Sequence, residues 1–406
     1  MTSPTKQRIG LWLIGARGGV AVSTIAGLIA HRLGLADGTG LVSELPQFAH
    51  LPLTAWDDFV VGGHEIRAAS LADELERLHR ESRVLSPELV AACRPELEKI
   101  DAEIRPGTLW NVGPRIAELA DLAACGLAPG SDDQLPLAII KRLQADLADF
   151  RKRHALHTVV VVNVASTEPL SDQGTWPAAW AAAEQSLAAT DCPLPASTLY
   201  AIAALGLGLP YVNFTPSLGA TPAGIDELAR HRGTCHAGRD GKTGETLMKS
   251  VLAPMFAARH LEVMSWVGHN IFGNLDGKVL DDPANKLAKL QSKDRLVADI
   301  LGYAPQTLIS IEHIGSLGDW KTAWDHIHFR GFLDTPMTLQ FTWQGCDSLL
   351  AAPLVLDLAR FTAAAHERKE TGVLGFLGSF FKSPLGETRP AFADQFRALE
   401  TWAARV

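Results

Sequence analysis

The sequence predicts an α/β fold: a doubly wound parallel sheet with an inserted α+β domain. The chain opens with a buried strand, a glycine turn and an apolar helix, "IGLWLIGARGGVAVSTIAGLIAHRLG". Apolar runs without alternation then recur between helical segments, as strands covered on both faces do. Beyond these runs, lysines, glycine-asparagine turns and tryptophans become frequent, and "PMTLQFTWQ" alternates in the manner of an antiparallel strand.

Composition and charge narrow the class of protein. The 406 residues are 47% hydrophobic and 20% charged, which is globular composition with enough chain for two or three domains. The net charge of −8 predicts neither a nucleic-acid nor a membrane partner, so an anionic substrate would need a locally basic site. Five scattered cysteines without a C-x-x-C favour a reduced, cytoplasmic setting over a disulfide framework.

The elements of the parallel sheet follow in order. Ile9 to Ile14 form the first strand, and the glycine turn after it is how a dinucleotide-binding unit begins. Arg17 and Val20 occupy the second and third glycine positions of G-x-G-x-x-G, so an ordinary strand-to-helix turn is an equal alternative. "WDDFVVGGHEI" predicts a second strand, residues 70–104 helices, and "HTVVVVNVAS" a central parallel strand. "STLYAIAALGLGLPYVNFTP" predicts a helix, a turn and another strand.

The later part of the chain predicts a separate unit. Residues 247–347 are expected to form a second domain with antiparallel strands. "DSLLAAPLVLDLARFTAAAHE" is a long apolar helix, which we expect to return to the first domain.

The triplet "GKT" at Gly241 to Thr243 suggests a nucleotide phosphate loop. That loop needs its first glycine at position 236, which is His236, and a buried strand before it. "ARHRGTCHAGR" is not predicted to be a strand, so we reject this interpretation. Two groups of possible metal ligands lack zinc-ligand spacing, and no metal site is predicted from them: His231, Cys235 and His236, and Asp325, His326 and His328.

Lysines beside turns and aromatic residues are the strongest chemical signal. Lys289 and Lys293 are four residues apart and would share a helix face, usually a solvated one. The turn-rich "HNIFGNLDG" precedes them, and "GDWK" and "FFKSPLG" carry further lysines. Several lysines suit a phosphomonoester together with a developing oxyanion, and clustering lets one act as a base near neutral pH.

These segments resemble, in order, those of the myo-inositol-1-phosphate synthases. "WDDFVVGGHEI" is similar to the family's N-D-I-V-x-G-G-W-D-I, "VASTEP" to T-A-N-T-E-R, and "PASTLYAIAALGLGLPYVNFTP" to its P-S-T…G-x-P-Y-I-N-G-S-P. "RDGKTGETLMKSVLAP" resembles D-D-x-K-S-G-Q-T-K-x-K-S-V-L, and "GHNIFGNLDGKVL" resembles N-H-L-G-N-N-D-G-x-N-L. "KLQSKD", "GDWK", "CDSLLAAPLVLDL" and "FFKSPL" match the later segments.

The resemblance implies a Rossmann-type sheet and an internal redox reaction. Residues 1–246 would bind NAD, residues 247–347 would form the inserted catalytic and oligomerisation domain, and residues 348–406 would return to the first. The family cyclises glucose 6-phosphate to inositol phosphate: NAD takes hydride from C5, C6 attacks the C1 aldehyde, and the hydride returns. A cytoplasmic homotetramer is implied.

Matched positions give the candidate site residues. Lys289 and Lys382 would transfer protons around C5 and C6, and Lys293 and Lys321 would hold the phosphate or the C1 oxygen. The remaining positions have shared expected roles: Asp240 and Asp347 orient lysines and hydroxyls; Asn270, Asn274 and Asp276 line the site; Thr243, Gly244 and Thr246 bind phosphate; Gly15, Arg17, Gly18, Gly19, Glu65, Ser166 and Thr167 bind the cofactor.

Departures from the family pattern leave alternatives open. The loop "GARGGVA" lacks both asparagines of the family's G-x-G-G-N-N-G and carries Arg17, which could contact a pyrophosphate or the 2′-phosphate of NADP, whereas Glu65 keeps a carboxylate that favours NAD. A divalent or monovalent cation requirement is open. A related reaction on another sugar phosphate, such as fructose 6-phosphate, is the second hypothesis, and an inactive NAD-binding regulator the third.

Overall fold

The predicted strand, glycine turn and helix open the chain in the computed structural model, which describes residues 8–121, 135–169, 178–189, 191–274 and 296–405. The first part contains β1 Ile9–Ile14, α1 Gly19–Arg32, β2 Phe59–Glu65, α2 Leu71–Ser82, α3 Pro87–Asp101, β3 Ile104–Pro106, α4 Pro114–Ala117, α5 Pro136–Arg153, β4 Thr158–Asn163, α6 Trp180–Ser186, α7 Ala196–Gly206, β5 Tyr211–Asn213, α8 Ala223–His231 and β6 Cys235–Gly238. The second contains α9 Glu245–Ala258, β7 Glu262–Phe272, β8 Gln306–His313, β9 Trp320–Arg330, β10 Pro336–Cys346, α10 Asp347–Glu367, β11 Gly372–Val373 and α11 Phe392–Ala403.

Within the described residues, seven parallel strands form the main sheet, in the order β11-β6-β5-β4-β1-β2-β3. Strand β1 lies between β2 and β4, and its Ile9 pairs with Phe59 of β2 and with Thr158 of β4. All residues of β1 and β4 are buried, as continuous apolar strands covered on both faces must be. This sheet confirms the predicted α/β class.

Helices cover both faces of the main sheet. One core joins β1 to α1 and α10, with Ile25, Leu28 and Phe361 among its fully buried side chains. The other joins β4 to α5 and α7, with Leu143 and Leu199 fully buried. The sheet is therefore doubly wound, because apolar helices close the core on each side.

Strand β6 corrects the sequence interpretation, which rejected a strand in "ARHRGTCHAGR". In Cys235–Gly238, residues 236–238 pair with β5 on one side, and Cys235 and His236 pair with β11 on the other. The four residues have little intrinsic preference for a strand, yet all four are buried. Tertiary pairing between two neighbouring strands decides their conformation here.

In the part of the chain that the structure describes, the second sheet has four strands, in the order β10-β9-β7-β8. β10 with β9, and β9 with β7, are antiparallel as expected, whereas β8 is parallel to β7, so the sheet is mixed. Helix α9 packs on it through Ala253 and Phe256, against Trp266 and Ile327. The predicted boundary between the first two domains, after residue 246, stays a prediction. Helix α9 runs across this position.

Helix α10 is long and apolar enough to cross a membrane by length and composition alone. In the folded chain 72% of its apolar window is buried. Its Val355, Leu358 and Phe361 are fully buried in the core beside α1, so packing inside the molecule accounts for its composition.

Candidate active site

A cavity of about 810 Å³ opens at the carboxyl ends of the parallel strands. Ligands of open α/β sheets bind at this edge, where strand order reverses between neighbouring strands such as β1 and β4. Residues from both sheets and from the C-terminal segment meet there. The predicted residues in its wall are Gly15, Gly18, Gly19, Glu65, Ser166, Thr167, Asp240, Thr243, Asn274, Lys321, Asp347 and Lys382.

The glycine turn after β1 forms a close cradle in this wall. Gly15 has φ 79°, and a Cβ there would lie 2.7 Å from the Cα of Ala165. A Cβ on Gly19 would lie 2.5 Å from Ser348 Oγ. Gly18 caps α1 without a side-chain hydrogen bond, so the first backbone N–H groups of α1 are left for another acceptor. The turn therefore fits a dinucleotide pyrophosphate at a helix N-terminus.

Glu65 ends β2 and is buried beside this turn. Its Oε2 accepts the backbone N–H of Arg17 at 2.7 Å, and its Oε1 accepts that of Ile66 at 2.8 Å. Its Oε1 also accepts the backbone N–H of Arg67 at 3.2 Å. The end of this strand is where an acid contacts a ribose hydroxyl in dinucleotide-binding units.

Arg17 does not line the cavity. Its guanidinium pairs with Asp101 of α3 at 2.8 Å and donates to the carbonyl of Arg67 at 3.0 Å. The predicted contact between the Arg17 side chain and a cofactor phosphate is therefore not preformed.

Glu168 follows Ser166 and Thr167 after β4 and was missed in the sequence. Its Oε1 accepts the N–H of Ser197 at 2.7 Å, its Oε2 accepts the Ser197 hydroxyl, and its own N–H donates to Ser217 Oγ at 3.0 Å. Burial raises the pKa of this carboxyl to about 7. The available signal was a carboxylate in the loop that follows the buried strand β4.

Two loops bring Asp240 and Lys382 together. The N–H of Lys242 donates to the carbonyl of Phe380, and the N–H of Ser383 donates to that of Arg239, so the loops run side by side. Across this ladder Lys382 Nζ donates to Asp240 Oδ1 at 2.8 Å. Both side chains are mostly buried, with 14% and 12% exposed, so the ion pair is shielded from water.

A second lysine–aspartate pair closes the cavity from the other side. Lys321 Nζ, in β9, lies 3.3 Å from Asp347 Oδ1, at the start of α10. Asn274 Nδ2 lies 3.4 Å from both Asp347 Oδ2 and Asp319 Oδ1. The predicted residues Lys321, Asp347 and Asn274 are thus brought together by three different elements.

Asp319 is a further buried acid that was missed, although "GDWK" contains it beside Lys321. Its carboxylate accepts hydrogen bonds from Cys346 Sγ at 2.8 Å and from the N–H and hydroxyl of Ser348. Burial raises the pKa of Asp319, and the nearby Asp347 charge adds to the effect. The signal was an acid two residues before a candidate lysine.

A small second cavity adjoins the first behind Lys321 and Lys382. The predicted Thr243, Gly244, Thr246 and Asn270 all lie in its wall. Thr246 Oγ1 and Asn270 Oδ1 are buried there without a hydrogen-bond partner. Cationic donors and unpaired polar atoms together make a site for a small polar group.

Some predicted positions gain no structural account. Lys289, Lys293 and Asp276 lie outside the described residues, and their roles stay predictions.

The two groups of possible metal ligands named from the sequence lie in β9 and in α8 and β6. In β9 Asp325 is buried whereas His326 is exposed, because successive strand residues point to opposite faces. His236 is buried and lies 3.0 Å from Asp226, whereas His231 is exposed.

The fold and the cavity define a dinucleotide-binding enzyme of Rossmann type. The sequence model of an NAD-binding family, described as myo-inositol-1-phosphate synthase, matches residues 9–404. The chain belongs to this family and is an NAD-dependent enzyme of the isomerase type, as its resemblance predicted.

Curated relatives support this family membership, and a solved structure shares the fold. An inositol-3-phosphate synthase 1 of Bacteroides thetaiotaomicron is 30% identical over 94% of this chain and 90% of its own length. The human inositol-3-phosphate synthase 1 is 28% identical over 95% of this chain and 75% of its own. The Caenorhabditis elegans inositol-3-phosphate synthase structure superposes with a TM-score of 0.87 at 24% identity, covering 98% of this chain and 86% of that one. At that identity the structure establishes the shared fold.

Proposed function

We propose that this enzyme cyclises D-glucose 6-phosphate to 1D-myo-inositol 3-phosphate with NAD as an internally recycled oxidant. The observation that carries the proposal is the pair of lysine–aspartate contacts, Lys382–Asp240 and Lys321–Asp347. Both pairs line the large cavity, and the two lysines also line the small one. Family membership and the names of the relatives support the same reaction.

NAD fits the glycine cradle, with its pyrophosphate at the N-terminus of α1 and a ribose hydroxyl on Glu65. When bound, it would accept hydride from C5 and return it at the end of the reaction. We propose NAD rather than NADP because Glu65 places a carboxylate at the end of β2, and because Asp101 engages Arg17.

The protein's own residues would then bind and move protons. In the proposal Lys382, held by Asp240, transfers the proton around C5 and C6, while Lys321 holds the C1 oxygen or the phosphate. Fixed ammonium groups in a shielded cavity stabilise an enolate better than water does. Thr243, Gly244 and Thr246 would receive the phosphate at the start of α9, where backbone N–H groups are free of helix partners.

The experiment is a product assay. Purified protein with NAD and glucose 6-phosphate is expected to form a non-reducing inositol phosphate, seen by NMR, without accumulation of NADH. Lys382→Met should lower kcat by about a hundredfold or more, because it removes a proton-transfer group. The exposed Lys369→Met should leave kcat unchanged.

Two results would contradict the proposal. One is a wild-type protein that binds NAD but leaves glucose 6-phosphate unchanged. The other is a Lys382→Met variant with the full wild-type rate.

We also propose that the enzyme is a cytoplasmic homotetramer, following the family resemblance. Size-exclusion chromatography with light scattering would give the assembly mass directly.

A further inference from the structure

A buried ion pair lies at the start of α9, beside the second cavity. Glu245 Oε1 and Lys249 Nζ are 2.7 Å apart, and each side chain is only 2% exposed. The residues are one helical turn apart, so they share one face of α9. Gly268 of β7 makes room for the carboxylate, since a Cβ there would lie 2.8 Å from Glu245 Oε1.

The same carboxylate fixes the amide of Asn270. Asn270 Nδ2 donates to Glu245 Oε2 at 2.7 Å. An ionised carboxylate accepts hydrogen bonds and donates none, so the amide cannot be turned over in this contact. The Asn270 oxygen is therefore the atom left for another group, and it has no hydrogen-bond partner although the residue is only 1% exposed.

The polarity of this oxygen limits what it can bind. Lys321 in the same wall donates hydrogen bonds and suits phosphate oxygens. The Asn270 oxygen only accepts, so it would repel an ionised phosphate and needs a donor such as a hydroxyl. A buried acceptor without its donor costs free energy, which makes the contact selective.

We propose that the Glu245–Lys249 ion pair is a positioning device that holds the Asn270 oxygen to accept a hydrogen bond from a hydroxyl of the sugar phosphate. Lys249 neutralises the carboxylate, so Glu245 can lie beside an anion site without repelling the substrate. Asn270 then recognises a substrate hydroxyl, while Lys321 recognises negative charge on the substrate. This inference rests on the proposed sugar-phosphate function.

The test measures binding by calorimetry, in the presence of NAD, for hexose 6-phosphates and their monodeoxy analogues. Wild type should lose roughly tenfold in affinity for the one analogue that lacks the contacted hydroxyl. Asn270→Ala should lose a similar factor for the complete sugar and nothing further for that analogue, since the two losses report one contact.

A double variant of the ion pair tests its positioning role. Glu245→Leu/Lys249→Met removes both charges without altering Asn270, and it should reproduce the Asn270→Ala pattern. The matched control is Glu262→Gln/Arg330→Met, which removes an exposed ion pair from the same sheet and should leave affinity unchanged. If the positioning variant does not fold, Asn270→Ala still decides whether a hydroxyl is read.

The outcomes separate this inference from the proposed function. Equal losses for every analogue with Asn270→Ala would overturn the inference while glucose 6-phosphate binding stands. If another sugar phosphate gives the expected pattern and glucose 6-phosphate does not bind, the proposed substrate is wrong and the role of Asn270 stands. If no sugar phosphate binds, both fall.

Discussion

At the scale of single residues, the lysine of "GKT" has a role unlike that of a nucleotide-binding lysine. The side chain of Lys242 is 4% exposed, and its Nζ donates to Gln395 Oε1 of α11 at 2.6 Å. It lines neither of the two cavities described above. Burial lowers the pKa of Lys242 to about 8, with a further contribution from the charge of Lys382.

Lys242→Met should change how stability depends on pH. Below pH 8 the wild type carries a buried charge that costs about 3 kcal/mol, since each pKa unit corresponds to about 1.4 kcal/mol. Between about pH 8 and 10.5 the unfolded chain binds more protons than the folded one, so wild-type stability rises with pH. Lys242→Met should lack that rise in urea unfolding.

Lys99→Met is the matched control, because the Lys99 side chain is 74% exposed. Its stability should follow the wild type at every pH. Parallel curves for wild type and Lys242→Met above pH 8 would count against a buried ammonium.

At the scale of elements, the N-terminus of α7 depends on an acid from the loop after β4. Pro195 precedes α7 and supplies no side-chain cap, and Glu168 from the loop after β4 accepts the N–H of Ser197 instead. The contact ties two elements together at the wall of the large cavity, next to Ser166 and Thr167.

Glu168→Gln should remove a dependence of folding stability on pH whose sign is opposite to that of Lys242. The raised pKa means that the folded protein binds this proton more tightly than the unfolded chain. The stabilisation that comes from this bound proton is complete below about pH 4.5 and is lost as pH rises to about 7. The variant should lose that slope, which urea titrations from acid to neutral pH would measure.

A contrary result is defined for the same titrations. If Glu168→Gln and wild type keep the same slope between pH 4.5 and 7, the carboxyl titrates as an ordinary exposed acid would. Ser186, outside this network of bonds, offers a matched control as Ser186→Ala, which should preserve the slope.

At the scale of the whole molecule, one side chain joins distant parts of the chain. Phe361 of α10 is fully buried, with its ring centroid 5.4 Å from that of Phe48 and 6.1 Å from those of Phe380 and Trp402. Phe380 is two residues from Lys382, so the same packing supports the cavity wall.

Phe361→Ala should destabilise the protein by about 3–5 kcal/mol, because it leaves a cavity in a closed core. Urea unfolding would measure the loss, and kcat should fall as the loop of Lys382 loosens. Phe332→Ala is the control, since Phe332 is 87% exposed. A loss below about 1 kcal/mol for Phe361→Ala would mean that the core closes around the gap.

Much of the fold was predictable from local pattern. The strands β1 and β4 are continuous apolar runs, and Gly15 has a positive φ that few other residues adopt. Strand β6 was not predictable, because its residues have little intrinsic strand preference and its conformation comes from pairing with β5 and β11, which lie elsewhere in the sequence. The parallel pairing of β8 was hidden for the same reason.

The candidate site divides in the same way. Lys321 and Lys382 were chosen from their turn and aromatic neighbours and from family resemblance, and the structure brings both to one wall. Asp319 and Glu168 were missed because their local signals, an acid near a candidate lysine and an acid soon after a buried strand, are shared by many surface acids. Only burial, which depends on the whole fold, gives them raised pKa values.

The sequence by itself determined the α/β class, the family and the lysines that suit a sugar phosphate, because apolar periodicity and residue chemistry are local properties. The tertiary structure alone decided that the side chain of Arg17 turns to Asp101, and that Lys242 of "GKT" is buried against α11. It also decided that Glu245 fixes the direction of the Asn270 amide. Hydrogen-bond direction and burial arise between segments far apart in the chain, where no local pattern records them.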